Sequence, residues 1–144
     1  MSGPVVVDTN ILVRAVLSGK GREDAIINKI GVEDWLLKYG SEQLEEMVDV
    51  LGYERITKKY KWDKSVVGSL VQWVMGYGRQ VLPTKVSQCR DEDDNYVIGL
   101  AMTVARRGKV YLVTGDKDIL VLNGEIPKVV ILRPGEFLKM REEV

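Results

Sequence analysis

Histidine is absent from the 144 residues. That removes Ser-His-Asp and Cys-His triads, imidazole metal ligands, and every hydrolytic scheme in which histidine is the acid or base. Cysteine is almost absent as well: Cys89 stands alone, so no internal disulfide and no thiolate zinc site can form. A buried, inert thiol is the expectation for it. Net charge is lacking too, with 21 basic residues set against 21 acidic ones. Nucleic-acid binding by bulk positive charge is thereby excluded, and any such contact must come from local basic patches or bound metal. No apolar run is long enough to span a bilayer, and Met1 to Val7 is too short for a signal-peptide core. A cytoplasmic chain with no membrane partner is expected. Internal repeats, low-complexity tracts and linkers are also missing. What remains for hydrolysis is carboxylates with hard metals, lysine, or hydroxyls.

The composition that is present, 45% hydrophobic and 29% charged, suits one domain spanning residues 1–144. Val5-Val6-Val7 is a β-branched run that reads as a buried parallel strand. Helical spacing follows from Asn10 to Leu17 and from Glu23 to Ile30. Trp35 to Leu37 is a second strand. Ser41 caps a helix from Glu42 to Leu51, and a short helix is expected over Tyr53 to Tyr60. Asp63 caps the next, from Lys64 to Met75, with Val66, Val67, Leu70, Val71 and Val74 inward. Gln80 to Leu82 is a third strand, an acidic turn leads into a helix from about Asp94 to Ala105, and Val110 to Val113 is the clearest strand of all. A short helix over Asp116 to Val121, a fifth strand over Val129 to Ile131, and a terminal helix with Pro134 at its first position complete the chain. Strands separated by helices imply an α/β fold with a mostly parallel sheet. Such sheets carry their sites at the carboxyl ends of the strands, at the switch point in strand order.

Several acids sit where that rule puts chemistry. Asp8 ends the first strand, followed by Thr9 and Asn10. Asp94 falls on the stripe of Ile98, Ala101, Met102 and Ala105, at about 100° per residue. A carboxylate on the buried side of a helix start needs donors or a cation. Asp116 and Asp118 follow the fourth strand, with Gly115 permitting a sharp turn. Helix capping accounts for each of these acids taken singly. The helix from Glu42 carries Glu42, Glu45, Glu46 and Asp49; its apolar face reads as Leu44, Met47, Val48 and Leu51, and periodicity selects none of its acids. Taken together, Asp8, Asp94 and Asp116 would meet at one edge of a parallel sheet. Crowded carboxylates repel, and partial protonation or cations relieve them. Mg²⁺ or Mn²⁺, which take oxygen ligands, would serve.

These stretches resemble the PIN-domain nucleases, and are most similar to the branch of toxin components of toxin–antitoxin pairs. The resemblance runs from Val5 to Leu138 through Val7-Asp8-Thr9-Asn10, Glu42 to Leu51, Cys89 to Asn95, Leu112 to Leu120 and Pro134 to Leu138. It implies a three-layer α/β/α fold with a five-stranded parallel sheet, and an acidic site holding one or two Mg²⁺ or Mn²⁺ ions that cuts RNA. Asp8, Asp94 and Asp116 match three core acids, and the family register puts the helical acid on Glu46. Asp91 and Asp118 match auxiliary acids, with Asp118 a further metal ligand. Thr114 matches a small hydroxyl residue beside the fourth acid, and Thr9 and Asn10 flank the first. Asn95 stands where relatives carry a third consecutive acid, which leaves Asp93 against Asp94 open. The implied partners are an RNA substrate, a second copy of the chain and an antitoxin protein.

Arg14, Lys58, Lys59, Lys61, Lys64, Arg106, Arg107 and Lys109 are basic residues that can track a nucleic-acid backbone, Arg14 foremost. Trp62, Trp73 and Tyr77 offer stacking surface, although core or dimer packing is the plainer reading. Rival classes are a non-catalytic module of the same fold and an RNA-processing nuclease that is not a toxin. An aspartyl-phosphate enzyme would need an acid at Asn10, and a Toprim-like site a Glu at Asp8. A dinucleotide-binding domain would need a glycine-rich turn after the first strand.

Overall fold

The computed structural model describes residues 3–18, 22–51 and 64–140. The helix expected over Tyr53 to Tyr60, together with Lys58, Lys59, Lys61 and Trp62, lies outside the described residues.

A single parallel sheet forms the middle layer. Its strands are β1 (Pro4–Val7), β2 (Leu36–Tyr39), β3 (Arg79–Gln80), β4 (Val110–Val113) and β5 (Val129–Leu132), arranged β3-β2-β1-β4-β5. The helices are α1 (Thr9–Ser18), α2 (Arg22–Val32), α3 (Ser41–Leu51), α4 (Lys64–Tyr77), α5 (Glu92–Ala105), α6 (Lys117–Leu120) and α7 (Pro134–Lys139). The chain leaves β1 toward β2 and later returns to lay β4 on the other flank of β1. The switch point therefore falls between β1 and β4, where an open α/β sheet offers a crevice beyond its carboxyl ends.

The sheet is covered on both faces, which is why β1 needs no polar alternation. Val5, Val6 and Val7 are all buried. Val5 and Val7 face one core with Ile11, Leu12, Ile26, Ile30, Met47, Leu51, Leu70, Val74 and Phe137, built by α1 to α4 and α7. Val6 faces the other with Leu112, Ile131, Ile98, Ala101 and Ile119, built by α5 and α6. Each buried aliphatic side chain contributes about 1.5–3 kcal/mol. The expected α/β/α sandwich with five parallel strands is the observed fold.

Two local readings need correction, and a third is met. The third strand, expected at Gln80 to Leu82, is Arg79–Gln80, and Leu82 is 90% exposed. Pairing fades after the Val81 N–H donates to the Tyr39 carbonyl, so β3 is a short charged edge. The buried face of α3 is Gln43, Met47 and Leu51, with Val48 exposed. The helix is rotated because the Gln43 amide has buried partners, a pull that hydropathy spacing does not register. Trp73 and Tyr77 stack on each other at 5.5 Å against the first core, so both are packing residues, in line with the plainer reading.

Candidate metal centre

Asp8 is reached directly from the last residue of β1 and is 8% exposed. An ordinary helix cap would turn its carboxylate onto the first amides of α1. Here the Thr9 and Asn10 backbone N–H groups contact it, the latter reaching Oδ1 at a long 3.4 Å. The other oxygen, Oδ2, accepts from the Thr114 hydroxyl at 2.7 Å across the switch point. Thr114 follows β4, is fully buried, and accepts the Asp116 N–H at 3.1 Å on the same oxygen. One hydroxyl thus ties the end of β1 to the turn after β4.

Asp116 is the N-cap of α6, its Oδ1 accepting the Asp118 N–H at 2.8 Å. Asp91 caps α5 in the same manner, taking the Asp93 N–H at 2.8 Å. The capping reading is therefore met at Asp116 and extends to Asp91, and each cap bond engages one oxygen. Asp94 lies in the first turn of α5, half-buried, on the side that faces Asp116. Carboxylate oxygens of Asp94, Asp116 and Asp118 lie within 4.8 Å of one another. Three acids from two elements thereby share a volume that one cation would fill, and all offer hard oxygen donors suited to Mg²⁺ or Mn²⁺.

The electrostatics carry the mark of that crowding. Burial, then the charges of Asp116, Asp91 and Asp8, push the Asp94 carboxyl up to about 7. Burial also raises Asp8, partly offset by the Thr114 hydroxyl. Glu46 is raised by burial and by the charges of Asp93 and Asp8, and it bonds Thr9. Partial positive charge at the amino ends of α1 and α5 counters some of this repulsion.

Glu46 is the only half-buried acid of α3; Glu42, Glu45 and Asp49 are exposed. It lines a groove with Glu42, Glu45, Asp49 and Asp93, close enough to Asp8 for the two charges to repel. Of the two neighbouring acids, Asp94 lies against Asp116 and Asp118, whereas exposed Asp93 lines the groove with Glu46. Thr9 is buried and accepts from Gln43 Nε2 at 3.3 Å; Asn10 is exposed and contributes its N–H. Arg14 is exposed on α1. Arg106 donates to the Thr84 hydroxyl at 2.8 Å, so it braces α5 against residue 84. Cys89 is half-buried rather than buried; its thiol donates to the Asp118 carbonyl at 3.7 Å and is raised by burial and by Asp94. A thiol held protonated is unreactive, in keeping with an inert role.

Two supporting residues escape a sequence reading. Gln43, 1% exposed, takes the Gly40 N–H at 3.1 Å and donates to the Val7 carbonyl at 2.8 Å, so α3 is fastened to the end of β1. Its spacing of four with Met47 and Leu51 was the available signal. Asn95, 3% exposed, grips the backbone of Cys89 from both sides, accepting its N–H at 2.8 Å and donating to its carbonyl at 2.9 Å. An acid could not make the second bond, which explains why amide stands in a run of carboxylates.

The sequence profile of the PIN domain matches residues 4–118, which contain every acid described above. An uncharacterised protein of Methanocaldococcus jannaschii is 28% identical over 122 residues, covering 84% of this chain and 76% of its own length. No solved structure matches significantly. Among the described residues, no helix is long and apolar enough to cross a membrane.

Proposed function

Given that the chain belongs to the PIN domain family, whose members are generally nucleases, we propose that it is a divalent-metal-dependent endoribonuclease acting in the cytoplasm. The observation that carries the reading is the convergence of Asp94, Asp116 and Asp118 within 4.8 Å at the switch point, beside Asp8. Asp94, Asp116 and Asp118 would hold the ion, with Asp8 completing its surroundings. A bound Mg²⁺ or Mn²⁺ would stabilise charge developing on a phosphoryl group and make water a competent nucleophile near neutral pH.

The chain's own groups do the rest. Thr114 fixes the orientation of Asp8 and of the Asp116 backbone with one hydroxyl. Glu46, with its carboxyl raised and hydrogen-bonded to Thr9, would take or hold a proton beside Asp8. Asp91 orders the first turn of α5 and so sets the direction of Asp94. Arg14, exposed on α1 after Asp8, contacts the RNA backbone in this reading.

The partners are the RNA, a second copy of the chain, and an inhibitory antitoxin protein. A mass measurement in solution tests the second copy. A gene for a small DNA-binding protein directly beside this one would place the chain in a toxin–antitoxin pair, whereas its absence would favour RNA processing. The activity itself is tested by incubating labelled RNA with the protein and Mn²⁺ or Mg²⁺. Internal cuts leaving 5′-phosphates, abolished by EDTA and by Asp8→Asn, are expected. Cleavage that persists in EDTA would refute the reading, as would Asp8→Asn cutting at the wild-type rate.

A further inference from the structure

At the amino ends of the strands, opposite the acids, a cavity of about 510 Å³ opens between the β2–β3 edge and the turn from α5 into β4. Lys38, Arg79, Arg107 and Lys109 line it, and among the described residues no acid does. Lys38 and Arg79 are register partners on adjacent parallel strands, so their side chains leave the same face of the sheet about 5 Å apart. Arg107 comes from the opposite wall. Gly108, at φ +145°, lets the chain double back there into β4. Among the described residues, Lys38, Arg79 and Arg107 form no ion pair. The Lys109 ammonium lies 4.9 Å from the centre of the Tyr111 ring. The zero net charge of the chain thus conceals an acidic cluster beyond the carboxyl ends and a base-lined cavity at the amino ends.

Cations gathered on two walls of one cavity repel each other, and a ligand carrying several negative charges relieves them. We propose that this groove binds the sugar–phosphate backbone of single-stranded RNA at a distance from the bond that is cut. The choice of RNA as the polyanion rests on the nuclease reading above; the charge of the groove does not. Guanidinium groups such as those of Arg79 and Arg107 suit phosphate oxygens through paired donors. Leu36 and Val104 add apolar wall against which a ribose or base can lie. Four-residue strands rise about 13 Å, so RNA engaging both sites is several nucleotides long.

The test is fluorescence anisotropy with a labelled 20-nucleotide oligouridylate in EDTA, where binding is read without cleavage. Arg79→Ala/Arg107→Ala removes two exposed side chains and is checked by thermal melting. It should bind at least tenfold more weakly than wild type, with the log–log salt slope shallower by about 1.4. Arg79→Lys/Arg107→Lys should recover most of that loss. Arg133→Gln/Lys139→Gln, which removes the same charge from α7, should bind as wild type does. Equal affinity and slope for the alanine pair and wild type would overturn the proposal. So would arginine-dependent binding of a labelled polyglutamate peptide with none of the oligouridylate, which would make the groove a dock for an acidic protein. RNA that binds through these arginines yet is never cut with Mn²⁺ would sink the nuclease reading and leave the groove standing. RNA that is cut normally but ignores the arginines would do the reverse.

Discussion

The Thr114 hydroxyl donates to Asp8 Oδ2 at 2.7 Å, joining the residue after β1 to the residue after β4. These two strands are neighbours at the switch point, so the bond closes the floor of the acidic site. The same oxygen accepts the Asp116 N–H. Thr114→Val keeps the shape of the side chain and removes both bonds. Leaving these buried groups unmatched should cost about 1–3 kcal/mol. Loss of a group that orients the ligands should weaken metal-dependent activity about 10–100-fold. Urea denaturation and Mn²⁺-activation curves check this, and Thr114→Ser should retain most of both.

Asp94 gives the metal-free protein a characteristic pH response. Its carboxyl sits at about 7 in the fold against an ordinary 3.8. Between those values the folded chain holds a proton that the unfolded chain has released, so stability falls as pH rises through the window. In EDTA the melting temperature should therefore decline from pH 5 to pH 8. Asp94→Asn, which cannot ionise, should flatten that decline. Melting curves of the two proteins that shift in parallel across the range would contradict the crowding.

Asp116 has two separable duties. As N-cap it accepts the Asp118 N–H, which asparagine can also do. As a member of the acid group it supplies charge, which asparagine cannot. Asp116→Asn should leave stability within about 1 kcal/mol of wild type, while metal-dependent cleavage disappears. A large drop in stability would show that the carboxylate is needed for the fold.

Asn95 explains a break in the acidic run. Asn95→Asp would set a carboxylate oxygen against the Cys89 carbonyl and near Glu92, replacing donors at 2.9 and 3.3 Å. A cost of about 1–3 kcal/mol is expected for the unmatched buried carbonyl, measured by chemical denaturation.

What the sequence made legible was whatever depends on one element at a time. The Val5–Val7 run, the Val110–Val113 strand and the position of Pro134 announced themselves locally, as did acids placed at strand ends. The strand order was not legible, because pairing of β1 with both β2 and β4 is a property of the whole sheet. The rotation of α3 escaped because a buried glutamine looks polar until its partners at Val7 and Gly40 are in place. The basic groove escaped for a related reason: Lys38 and Arg79 are 41 positions apart and meet only through strand register. Asp8 is instructive in the middle ground. Its position after β1 was clear, yet only the bond to Thr114 distinguishes it from a plain cap.

The central claim is that Asp94, Asp116 and Asp118 share one divalent ion. Calorimetric titration of Mn²⁺ into the metal-free protein tests it most directly, with wild type and Asp94→Asn compared at one pH and equal foldedness by circular dichroism. Saturable binding to wild type, lost or weakened at least tenfold in the variant, is the expected result. Identical isotherms for the two proteins, or no binding to wild type at millimolar Mn²⁺, would contradict the account.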